Sequence, residues 1–144
     1  MRPPYILVVD DDANVRHLLR RFLTLAGHEV LEAGTAEDAM AIIEQLPPAV
    51  AFCDVHMPGA NGLWLADQIR SASPATAMVL ATGDPDVPAV ERLRPGIVAY
   101  LLKPLDRRDV WSAVDEGLRW SARVMGQDLR HPTRRRLTEA AFDA

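Results

Sequence analysis

"YILVVDDD", residues 5–12, decides how the chain folds. Five apolar residues, three of them β-branched, run without interruption into three acids. A run this short, with no polar alternation, predicts a strand over residues 5–10 buried on both faces. A strand of that kind needs cover above and below, and the residues on either side supply it. After the acids, Val15, Leu18, Leu19, Phe22 and Ala26 recur at helical spacing, and Gly27 is placed to end the helix. Asp12 is read as its N-cap.

The same alternation continues along the chain. Residues 28–33 ("HEVLEA") predict a second strand. A helix follows, opened by Thr35 and Asp38 at capping-box-like spacing, with Ala36, Ala39, Met40 and Ile43 as its inner face; Pro47 and Pro48 stop it. Residues 49–54 ("AVAFCD") are a third buried strand, and "MPGANG" at 57–62 is a turn-rich loop. "LWLADQIRSA" forms a third helix, with Leu65 and Ile69 one turn apart. Residues 76–82 ("TAMVLAT") give a fourth strand, and residues 96–103 ("GIVAYLLK") a fifth. Between them Pro85 and Pro88 confine any helix to a short piece. Asp106 caps a last helix whose inner face is Val110, Ala113, Val114, Gly117, Leu118 and Ser121. Five βα units in 144 residues point to an α/β fold, a parallel sheet covered by helices on both faces.

Composition narrows the classes of function. The length suits one domain with a full core. No stretch approaches the roughly 20 apolar residues of a membrane span. The lone cysteine, Cys53, has no internal disulfide partner, and without an export signal the expected compartment is the reducing cytoplasm. A net charge of −4 argues against non-specific nucleic-acid binding, so no nucleic acid is expected as a partner of this chain. There is no P-loop, GxGxxG or CxxC, and nucleotide and zinc chemistry have no footing.

In parallel α/β sheets ligands bind beyond the carboxyl ends of the strands. Asp10, Asp11 and Asp12 follow the first strand, Asp54 ends the third, Thr82 the fourth and Lys103 the fifth. Two carboxylates about 4 Å apart repel by roughly 4 kcal/mol at an effective dielectric near 20. A hard divalent cation held by oxygen resolves that conflict, and Mg²⁺ is the usual choice where phosphate chemistry follows. A carboxylate beside it can then act as a nucleophile and form an aspartyl phosphate. Lys103 is the only lysine among sixteen basic residues. A compact ammonium on a flexible stem reaches one oxygen in a crowded pocket, where arginine's planar fork asks for two acceptors and more room.

Four stretches, "ILVVDDD", "DVHMPGANGLWL", "LATG" and "YLLKP", together resemble the CheY-like receiver domains of two-component response regulators. The resemblance covers about residues 4–122. It implies a doubly wound five-stranded parallel sheet in the flavodoxin-like order 2-1-3-4-5. It also implies that Asp54 accepts a phosphoryl group from a sensor histidine kinase or phosphotransfer protein. Mg²⁺ would be held by Asp10, Asp11 and Asp54, with Asp11 the more direct ligand, and by the backbone carbonyl of His56. Thr82 and Lys103 would each bond a phosphoryl oxygen, and the Lys103–Pro104 bond would be cis. Movement of Thr82 would let Tyr100 turn inward. The change would be read by a downstream target or output domain on the surface of the fourth helix, fifth strand and fifth helix. Such a domain catalyses only its own phosphorylation and dephosphorylation, and the resemblance allows a homodimer.

Two other readings stand beside this one. The first is a receiver-fold interaction module without phosphorylation, against which the intact set of Asp11, Asp54, Thr82 and Lys103 argues. The second is a metal-dependent phosphohydrolase, in which His56 would join the acids. His56 lies two residues beyond Asp54, where the side chain influences the lifetime of the phosphorylated state in the family. Trp64 lies off the inner face of its helix and is expected to be exposed. Trp111 and Trp120 flank the apolar stripe of the last helix, as cover for its edges or as a protein-binding surface. Residues 1–122 are taken as the receiver domain. Residues 123–144 are taken as a helical extension or flexible tail, belonging to a stand-alone regulator or to the front piece of a longer protein.

Overall fold

The computed structural model of the chain describes residues 4–85 and 94–129. The elements run β1 (Tyr5–Val9), α1 (Ala13–Leu25), β2 (Glu29–Ala33), α2 (Ala36–Gln45), β3 (Val50–Asp54), α3 (Gly62–Ala72), β4 (Ala77–Thr82), β5 (Ile97–Leu102) and α4 (Arg107–Leu129). The short helix expected between the fourth and fifth strands falls largely outside the described residues, as does the tail beyond residue 129. The strands form one parallel sheet in the order β2-β1-β3-β4-β5, as the family resemblance implies.

Each central strand is buried along its whole length, which is why β1, β3 and β4 are continuously apolar. Their side chains divide by strand period between two cores. Leu7, Val9, Ala51, Cys53, Met78 and Leu80 pack against Ile43 of α2 and Leu65 and Ile69 of α3. Ile6, Val8, Phe52 and Val79 point the other way, against Leu19 and Leu23 of α1 and Val110, Ala113 and Val114 of α4. Gly117 lets α4 come close to the sheet: a Cβ there would sit 2.8 Å from Cγ2 of Val50.

Capping fixes where the helices begin. Asp12 Oδ1 accepts from Asn14 N–H at 2.9 Å, Thr35 Oγ1 from Asp38 N–H at 3.0 Å, and Asn61 Oδ1 from Leu63 and Trp64 N–H, each at 3.0 Å. Asp106 Oδ1 accepts from Arg108 N–H at 2.7 Å at the start of α4. Gly27, with φ of 91°, follows the α1 cap in the left-handed conformation that ends helices.

The inner face of α1 differs from the one predicted. Leu18 and Ala26 are exposed, and Leu19 and Leu23 are the buried pair, with Val15 and Phe22 partly covered. Spacing alone offered two overlapping apolar stripes, and the position of α4 selects one. Trp111 ties the two helices together, its indole N–H donating to the Phe22 carbonyl at 2.7 Å, so it acts as a strut. The guanidinium of Arg107 lies 4.9 Å from its ring centroid. Trp120 is half-buried beside the α1/α4 core, with Arg70 5.5 Å from its ring, and Trp64 is exposed as expected. The last helix continues past residue 122 to Leu129, and no described helix is long and apolar enough to cross a membrane.

Candidate functional site

Strand register carries the acids and the lysine to one rim. Val9 of β1 is the partner of Cys53 in β3, so Asp10 leaves the sheet beside Asp54. Thr82 of β4 is the partner of Leu102 in β5, so Lys103 emerges just beyond it, its N–H donating to the Thr82 carbonyl at 2.8 Å. Lys103 reaches across β4, and its Nζ donates to Asp10 Oδ2 at 2.8 Å and to Asp54 Oδ2 at 3.1 Å. The Lys103–Pro104 bond is cis. Carboxylate oxygens of Asp10, Asp11 and Asp54 all lie within 4.8 Å of one another.

The three acids differ in setting. Asp10 is 1% exposed, and its Oδ1 accepts the N–H of Asp12 at 2.9 Å. Asp54 is 7% exposed, and its Oδ1 accepts the N–H of His56 at 3.1 Å. Asp11 faces solvent, and no hydrogen bond holds its carboxylate among the described residues. Burial holds the Asp10 carboxyl above its ordinary value, against the opposing pull of the Lys103 hydrogen bond. Burial also works against the Lys103 ammonium, yet its hydrogen bonds to Asp10 and Asp54 outweigh that and raise its pKa.

Around the acids, Thr82 is buried and its Oγ1 accepts the N–H of Asp84 at 3.2 Å. The imidazole of His56 points outward, its Nε2 3.1 Å from Asp84 Oδ2. Its ring therefore stands at the mouth of the pocket, while its main-chain N–H faces Asp54. Tyr100 sits half-buried on β5 opposite Leu80, packed against the α2/α3 core. Cys53 is fully buried beside Asp54, and burial pushes its thiol far up, which makes it a core residue rather than a reactive one.

Two contributors were not read from the sequence. Gly62, the first residue of α3, lies so close to the main chain of Asp54 that a Cβ there would sit 2.3 Å from its carbonyl oxygen. Its N–H donates to the Val55 carbonyl at 3.2 Å, which seats α3 against the end of β3. The Asn-Gly pair that closes the loop was the available signal. The other is Arg16, whose Nη1 donates to the main-chain carbonyl of Asp10 at 2.7 Å. Nothing in its helical spacing marked it.

Asp10, Asp11 and Asp54 supply only oxygen. Each of the two buried carboxylates keeps acceptor capacity beyond the bonds already made, and Asp11 keeps all of its own. That donor set fits a small hard cation such as Mg²⁺ and offers nothing to a soft one.

The strand order places the chain among doubly wound α/β folds, whose ligand sites lie at the carboxyl ends of the strands where these acids gather, and comparison with known proteins identifies the family. The sequence profile of the response regulator receiver domain matches residues 6–115, and the chain belongs to that family. It is 32% identical over 114 residues to the transcriptional regulatory protein AruR of Pseudomonas aeruginosa, covering 76% of this chain and 47% of that protein. With the regulatory protein AtoC of Escherichia coli it shares 32% over 127 residues, covering 88% of this chain and 27% of that one. The chain thus spans half or less of the length of these relatives. Among solved structures, a CheY-like receiver domain protein from Methanospirillum hungatei superposes with a TM-score of 0.78 at 28% identity, covering 85% of this chain and 98% of that one. The receiver domain of NtrX from Brucella abortus gives 0.74 at 31% identity, covering 79% and 98%. Residues 6–115 are therefore a two-component receiver domain, of a family that acts in signalling rather than as conventional enzymes.

Proposed function

We propose that this receiver takes a phosphoryl group on Asp54 from a sensor histidine kinase or phosphotransfer protein in a Mg²⁺-dependent reaction. The observation that carries the reading is the doubly bonded ammonium. Lys103 spans Asp10 and Asp54 from a strand two places removed from β3, a placement costly to keep for stability alone. Asp54 presents Oδ2, now shared with Lys103, as the oxygen that attacks phosphorus; the P–N bond to the donor histidine breaks, and the donor imidazole leaves and takes up a proton. Lys103 stays with the new phosphoryl oxygens, and the Thr82 hydroxyl donates to another once it turns from the Asp84 N–H. Asp10, Asp11, Asp54 and the His56 carbonyl would hold Mg²⁺, which supplies countercharge for the oxygens in flight. His56 and Asp84 line the entrance and bear on how long the phosphoryl group survives.

The readout passes from Thr82 to Tyr100 and on to the face made by the segment between β4 and β5, by β5 and by α4, where a target or output domain binds. AruR and AtoC are named as regulatory proteins, and the chain matches only part of each, so a longer regulator is one setting for this domain. A second copy of the chain is another candidate partner on the same face. Residues 1–122 act as the receiver, and residues from 123 onward, helical through Leu129, as the extension that carries the signal away. The site of action is the cytoplasm.

Incubation with acetyl phosphate and Mg²⁺ tests this reading. The wild-type protein should gain one phosphoryl group by intact mass, and Asp54→Asn should gain none. No gain in the wild-type protein, from acetyl phosphate or from its kinase, would favour a plain interaction module. Repeated turnover of an unrelated phosphoester would favour a hydrolase.

A further inference from the structure

Asp10 is held from four sides. Its N–H donates to the Ala33 carbonyl at 3.2 Å, its carboxylate takes the Asp12 N–H and the Lys103 ammonium, and its carbonyl takes Arg16. The last contact differs in kind, because it fixes the peptide plane leading into Asp11. Asp11 has no side-chain bond of its own among the described residues, so the peptide plane sets the point from which its carboxylate reaches toward Asp10 and Asp54. Arg16 in turn is braced: its Nε lies 3.3 Å from Glu32 Oε1, and Arg20 Nε holds the other oxygen, Oε2, at 2.5 Å. Glu32 is on β2, next to β1 in the sheet, so the brace is anchored in the sheet rather than in a loop. The side chains of Arg16 and Glu32 are 21% and 19% exposed, which shelters the pair from water.

We propose that Arg16, braced by Glu32, is a positioning residue for the cation pocket, setting the Asp10–Asp11 peptide so that the two acids converge with Asp54. The proposal rests on the reading of the pocket as a Mg²⁺ site. Arg16 touches no ligand or reacting atom; it acts through the main chain. Lysine cannot replace it, because one ammonium cannot bond the Asp10 carbonyl while a second nitrogen faces Glu32. The charge-conserving Arg16→Lys separates geometry from charge, since the cluster of Arg16, Arg20 and Glu32 keeps its one net positive charge in that variant.

Calorimetric titration of the metal-free chain with Mg²⁺ tests this in the wild type, in Arg16→Lys and in the double variant Arg16→Met/Glu32→Gln. Both variants keep the net charge of the wild type. Each should bind Mg²⁺ about tenfold more weakly, in line with the effect of other groups that orient metal ligands. Acetyl phosphate labelling should need correspondingly more Mg²⁺ yet reach the wild-type rate when Mg²⁺ saturates. Affinities within about twofold of wild type overturn the proposal, as does a lowered unfolding midpoint with unchanged Mg²⁺ affinity. If the double variant does not fold, Arg16→Lys decides alone. A wild-type chain that binds no Mg²⁺ overturns the pocket assignment together with this inference, whereas wild-type binding with unaltered variants overturns this inference only.

Discussion

Lys103→Met removes one ammonium and leaves two buried carboxylates facing each other. Each lost contact, at 2.8 and 3.1 Å, is an attraction of about 5–6 kcal/mol at an effective dielectric near 20. Most of that is offset in the wild type by the cost of taking the three charges out of water. What remains in the variant is the mutual repulsion of acids no more than 4.8 Å apart, about 3.5 kcal/mol or more on the same scale. Solvent entering beside exposed Asp11 relieves part of it, so the native state should lose about 3 kcal/mol at pH 7. The loss should depend on pH. A carboxyl whose native pKa lies above its unfolded value favours the folded state below that value, and the benefit is lost as pH rises through the native pKa. Asp10 is already raised from 3.8, and losing Lys103 raises it further. The deficit is therefore full at neutral pH and shrinks as the pH falls toward the ordinary value of Asp10. Urea unfolding followed by tryptophan fluorescence at about pH 7 and about pH 4.5 measures both. Adding Asp10→Asn to the variant should recover part of the loss. A variant within about 0.5 kcal/mol of wild type at pH 7, or a deficit independent of pH, would refute the reasoning.

Gly62→Ala should destabilise the fold by about 1–3 kcal/mol and slow phosphorylation, because the main chain of Asp54 must retreat from the new methyl group; urea titration and a labelling time course check it, and wild-type behaviour in both would show that α3 does not set the position of Asp54. Cys53 should resist a thiol reagent at about pH 8 in the folded chain and react on unfolding, since burial pushes its pKa well up; rapid modification of the native protein would place it outside the core.

What the sequence disclosed follows from the range of the physics involved. Continuous apolar runs ending in a polar residue located β1, β3 and β4 and put Asp10, Asp54 and Thr82 at one rim, because burial on both faces erases polar alternation. Caps were legible where one side chain serves a backbone two or three residues away, as at Asp12, Thr35 and Asp106. Strand order came from resemblance, not from periodicity. Long-range contacts left no local mark. The pairing of His56 with Asp84, 28 residues on, depends on two loops meeting. Arg16 reads as a polar position on α1 until β2 brings Glu32 beside it. The choice between Leu18 and Leu23 as core needed the position of α4.

The most direct test of the central claim is to locate the phosphoryl group by peptide mapping after acetyl phosphate treatment, with Mg²⁺ and again with excess chelator. The account expects the group on Asp54 alone, and only with Mg²⁺ present. A phosphoryl group on His56 or any other residue, or equal labelling of Asp54 in chelator, would contradict it.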